Sequence, residues 1–127
     1  MLKRILAATA VLAFCSVPLA AQEMGGMHHT GKDVSMTGQV IDLSCFTTSG
    51  ASGAGHKACA TGCAKSGMPL AILGDDGKIY LPASAKPADA QNSRLLPFAE
   101  QKVKLTGSVL ESHGVNMITI KTIAAAS

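Results

Sequence analysis

The chain has no tryptophan, and beyond residue 21 its only aromatics are Phe46, Phe98 and Tyr80. That is too few for a platform on which single-stranded nucleic acid could stack. Lysine and arginine form no cluster, so there is no electrostatic footprint for nucleic acid or for an anionic membrane. No apolar run reaches the roughly 20 residues that a membrane span needs. Phosphate loops, paired-carboxylate acid/base sites and Ser-His-Asp arrangements do not stand out. A C-x-x-C redox pair and a C-x-x-C-H haem attachment are both missing. No catalytic residue is assigned, and an enzyme is not the favoured reading.

What is present begins with an export signal. Residues 1–21 carry a basic start (Lys3, Arg4), an apolar core from Ile5 to Phe14 and a small-residue end at Leu19-Ala20-Ala21. That is the anatomy of a secretory signal peptide, with cleavage expected after Ala21 and a periplasmic or secreted destination. Cys15 raises the question of a lipoprotein, but Phe14 stands where a lipobox needs a small residue, so Cys15 is expected to leave with the signal. The cysteine count then falls from 4 to 3, and the formal charge from +3 to +1 with the loss of Lys3 and Arg4. The remaining 106 residues suffice for one small domain. An oxidising compartment normally pairs its cysteines, so an odd number there needs a reason.

Residues 22–33 show neither helix nor strand period and are expected to be a disordered leader. Met24, Met27, His28 and His29 fall in it. Thioether and imidazole together suit copper, which makes these four accessory metal candidates. A domain is expected over 34–123, with 124–127 as a frayed end.

Within the domain, 34–44 reads as a β-branched strand with a bend or bulge at Gly38, delivering Cys45 at its end. A Thr/Ser/Gly loop over 47–55 leads to a helix over 56–66, with Gly67 as its stop and Pro69 beyond. Gly62 weakens that helix and leaves room for a close approach. Leu70 to Leu73 and Lys78 to Pro82 flank a Gly-Asp-Asp-Gly hairpin turn, in which Asp75 and Asp76 serve the turn. A turn or short helix around 88–95 precedes two strands, 101–112 and 115–123, that meet at His113-Gly114. The sum is mainly β: a small five-stranded OB-like Greek-key barrel with a Cys-bearing helix after the first strand. An open five-stranded sheet with one helix is the alternative.

The run T-G-Q-V-I-D-L-S-C over 37–45, then H-K-A-C-A-T-G-C-A-K-S-G-M-P over 56–69, resembles a family of small exported bacterial proteins. That family carries "TGEVID-x-x-C(Y/F) … H-x-x-C-A-x-x-C-x-x-x-G-x-P", then a D-G-K-x-Y-L hairpin and a V-x-V-T-G strand. The later parts correspond here to Asp76 to Leu81 and Val103 to Gly107. The resemblance covers nearly the whole domain but not the Met/His leader. It implies a secreted OB-like barrel with a Cys/His group, and it implies no activity.

Cys45, Cys59 and Cys63 are the reactive centre of this sequence, with His56 three residues before Cys59. On a helix, positions i, i+3 and i+7 share a face, so His56, Cys59 and Cys63 are expected to point the same way, and the loop lets Cys45 reach them. Three thiolates and an imidazole form a tetrahedral set for zinc, and thiolate-rich sites also select Cu(I). Met68 could add a thioether, and Asp42 could orient His56; packing for the first and a solvated strand end for the second are the alternatives. The competing reading is a disulfide from Cys45 to Cys59 or Cys63, stapling the helix to the barrel of a metal-free module that meets another envelope protein. Closing such a loop is worth roughly 3 kcal/mol in the chain-entropy model. A thiol-redox protein is the third reading.

Overall fold

The computed structural model describes residues 31–127. The expected signal peptide and the residues Met24, Met27, His28 and His29 lie outside that range. Five strands close into a mixed barrel in the order β1-β2-β3-β5-β4. They are β1 (Lys32–Asp42), β2 (Leu70–Gly74), β3 (Ile79–Pro82), β4 (Lys102–Ser112) and β5 (Val115–Ala125). Among the described residues no helix is long and apolar enough to cross a membrane.

The barrel closes because β1 serves two neighbours. Its first part pairs with β4 (Met36 opposite Leu105) and its last part with β2 (Val40 opposite Ile72). The changeover falls at Gly38, which is paired on both sides. A Cβ there would come within 2.6 Å of the Leu73 carbonyl oxygen, so only glycine lets the two strands approach. The β2–β3 hairpin turns on Gly77, at φ +79°, and the β4–β5 hairpin on His113 and Gly114, both at positive φ, as a two-residue turn requires. The parallel pairing of β3 with β5 completes the ring.

Alternation fills the interior. Val40, Leu70, Ile72, Val103, Leu105, Ile118 and Ile120 are buried with Leu95 in one cluster. Leu95 comes from a short helix, α3 (Asn92–Leu95), in the connection from β3 to β4. Arg94 on α3 donates to the carbonyls of Ile120 and Lys121, on a stretch of β5 beyond the reach of β3. β5 continues through Ala124 and Ala125, expected to fray, because they pair with Lys104 and Val103.

The Tyr80 hydroxyl donates to Asp76 Oδ2 at 2.6 Å across the hairpin. The carboxylate holds the phenol proton and pushes the Tyr80 pKa up to about 12. A raised pKa in the folded state contributes stability below the unfolded value of about 10 and loses it as pH climbs through the folded one. Asp76→Asn is expected to bring Tyr80 back toward the ordinary value. Tyr80 is the only tyrosine, so phenolate absorbance during an alkaline titration reads it directly. An unchanged midpoint would refute the pairing.

Candidate metal centre

The strand before the cysteines ends two residues earlier than its sequence suggests, and the cause is Asp42. Its Oδ1 accepts the Cys45 N–H at 2.9 Å and so caps a helix, α1 (Leu43–Ser49). Cys45 therefore sits in the first turn of a helix and not at a strand end. Thr47, Thr48 and Ser49, which read as loop, are helical, with each hydroxyl bonded back to a carbonyl of the preceding turn. Gly50, at φ +70°, ends α1 with its N–H on the Phe46 carbonyl.

The second helix, α2 (Lys57–Lys65), follows a 3-10 turn over Ala54–His56. It ends as the sequence predicts. Gly67, at φ +95°, donates to the Ala64 carbonyl and Met68 to that of Cys63, the paired bonds of a Schellman stop. Ala60 and Ala64 are its buried residues, and Cys59 and Cys63, each one residue earlier, share the neighbouring face. Gly62, expected to admit a close neighbour, faces open space.

The two helices bring the three sulfurs together. The Sγ atoms of Cys45, Cys59 and Cys63 all lie within 4.8 Å of one another. All three are free thiols; Cys59 is exposed and the other two are half-buried. A tetrahedral zinc site with Zn–S of about 2.3 Å has S···S edges of about 3.8 Å, so no pair of these sulfurs is more than about 1 Å wider than ligand spacing. Neither bridge from Cys45, to Cys59 or to Cys63, is formed.

His56 does not join them. Its ring is held by Glu100, with Nδ1 3.0 Å from Oε1. His56 ends the 3-10 turn and is the N-cap of α2, and its ring nitrogens are not among the mutually close ligand atoms. Glu100 stands out in no sequence pattern, yet it organises this end of the barrel. Its backbone N–H donates to the Val40 carbonyl, and it adopts φ +60°, which a glutamate rarely does. Its buried carboxylate also accepts from the Asp42 N–H, the Gly53 N–H and the Gln39 side chain. The loop between α1 and α2 is thereby pinned to the start of β4. Hydrophobic periodicity carries no trace of such a group; an acidic residue within a non-periodic stretch before a strand was the available hint.

Asp42 is fully buried, so it is not a solvated strand end, and neither of its oxygens bonds His56. Its Oδ2 has no hydrogen-bond partner. The carboxylate nonetheless acts on the thiols. It is the leading reason, ahead of burial, that Cys63 is pushed up to about 11. Burial first and Asp42 second also raise Cys45. Both shifts run opposite to the depressed pKa of a nucleophilic or redox-active thiol. Met68 is exposed, and its backbone, through the helix stop and an Asn92 contact at 2.7 Å, is what engages the fold. His113 is in the exposed β4–β5 turn, bonded to Ser112.

The arrangement offers a preformed group of three soft donors, half open to solvent, on two helices fixed to a closed barrel. No family model, curated protein or solved structure matches the chain.

Proposed function

We propose that this protein is an exported domain that binds one soft or borderline metal ion, copper or zinc, through Cys45, Cys59 and Cys63. The observation that carries the reading is the meeting of three free sulfurs within 4.8 Å, supplied by two separate helices. A disulfide staple uses two sulfurs and leaves the third without a purpose, whereas a metal uses all three. The signal-like residues 1–21 and the resemblance to small exported proteins support a periplasmic or secreted setting, where such a domain would hold or carry the ion. The leader's Met24, Met27, His28 and His29 would add a weaker, copper-favouring set.

The test is anaerobic purification with metal and free thiols measured together. About one Zn2+ or Cu(I) per chain, with the three thiols shielded from alkylation until a chelator is added, is the expected result. Metal must displace protons from thiols with raised pKa values, so affinity is expected to rise with pH across the neutral range and to fall on acidification. A metal-free protein with a single reactive thiol would sink the reading in favour of a disulfide from Cys45.

A further inference from the structure

Three thiolates leave a tetrahedral ion one donor short. His56 was the expected fourth, but neither of its ring nitrogens is in the group of mutually close ligand atoms, although Glu100 engages only Nδ1. Asp42 offers a buried carboxylate oxygen with no partner of its own. Resting on the metal reading above, we propose that Asp42 Oδ2 is the fourth donor, giving a site of three sulfurs and one oxygen that favours a divalent borderline ion such as Zn2+ over Cu(I).

Geometry and desolvation carry this. Asp42 is wholly buried, and its two oxygens are treated differently. Oδ1 is fixed by the Cys45 N–H, which sets the carboxylate beside the first thiol. Oδ2 accepts nothing. A buried carboxylate oxygen without a donor is costly, and the cap on the Cys45 N–H holds this one beside the first residue of the sulfur group. A cation among the sulfurs would supply the missing partner. Asp42 is not in the set whose atoms are all mutually close. Contraction of the sulfurs toward ligand spacing would draw it in without moving β1, whose end is held by the Leu43 N–H on the Pro69 carbonyl. Three thiolates plus one carboxylate around a divalent ion carry the same formal charge as the common zinc site of four cysteines. Carboxylate oxygen suits harder ions, while thiolates alone satisfy Cu(I). The fourth donor therefore sets which ion is preferred.

Asp42→Asn keeps a good helix cap and replaces the charged donor with a weak one. Far-UV circular dichroism checks that it folds, and Co2+ serves as the spectroscopic probe of ligand set. Wild type is expected to show charge transfer from three thiolates and tetrahedral d–d bands. In Asp42→Asn the charge transfer should persist, the d–d bands should move, and Zn2+ affinity should fall by about a hundredfold, the upper end of what losing even an outer partner costs. Cu(I) affinity should change little. Bands that stay in place in Asp42→Asn and move in His56→Ala would overturn Asp42 while leaving the three-sulfur site intact. Absence of thiolate charge transfer in wild type would overturn both. Should Asp42→Asn unfold, the cadmium NMR shift of the Cd2+-loaded wild-type protein separates two shells. Three sulfurs with an oxygen are expected; three sulfurs with a nitrogen would refute the proposal.

Discussion

Glu100→Ala is expected to cost about 3–5 kcal/mol of folding stability, since several donors lose their acceptor and each one left buried and unsatisfied costs about 1–3 kcal/mol. A domain of this size has about 5–15 kcal/mol in total, so the loss takes about a fifth of it or more. The reason is what stays behind. The Asp42 N–H, the Gly53 N–H, the Gln39 amide and the His56 ring all lose an acceptor, and part of that cluster is buried. The shift in urea or guanidinium midpoint, measured with metal removed and thiols reduced, gives the cost. Relief of the strained φ at residue 100 would offset little, because alanine is disfavoured there as well. Glu100→Gln should be intermediate: Oε2 accepts from both Gln39 and Gly53, so an amide nitrogen in that place sets donor against donor. A loss under about 1 kcal/mol for the alanine variant, the scale of one ordinary hydrogen bond, would mean that the loop is held in some other way.

Removing sulfur should have a larger effect on metal than removing any neighbour. Cys63→Ser is expected to weaken Zn2+ and Cu(I) binding alike by well over the about 10–100-fold that follows loss of an outer partner. The triple replacement of Cys45, Cys59 and Cys63 by serine should abolish stoichiometric binding. The barrel should survive both, because none of the three cysteines belongs to the buried core. Competition against a chelator of known affinity reads the binding, and the denaturant midpoint of the metal-free forms reads the fold. Retention of wild-type affinity in Cys63→Ser would exclude it as a ligand. Equal loss of stability in the metal-free variant would point to a packing role.

The barrel was legible because alternation reports which face of a strand is buried. Val103, Leu105, Ile118 and Ile120 are inside, as their spacing requires, and the turns at Gly77 and Gly114 follow from residues that tolerate positive φ. The meeting of three cysteines was legible from their types and separation. The segment around Cys45 was not. Thr-Thr-Ser-Gly has loop composition, and what makes it helical is one capping carboxylate followed by hydroxyls that bond back to the chain. The partner of His56 was out of reach for another reason. Glu100 is 44 residues away, and a single buried charge leaves no period. Asp42 was visible near the site but misread, since local sequence reports neither its burial nor which of its oxygens is left unpaired.

Arg94 bears on how this domain could meet another protein. A sheet whose backbone is open along one side invites a visiting strand, which adds by main-chain bonding and needs little side-chain recognition. β5 has such a stretch past Ile118, where β3 stops. The guanidinium occupies its carbonyls at Ile120 and Lys121. β-augmentation, and the edge-to-edge aggregation that shares its chemistry, is therefore obstructed there. A partner that docks on this part of the barrel has to recognise side chains.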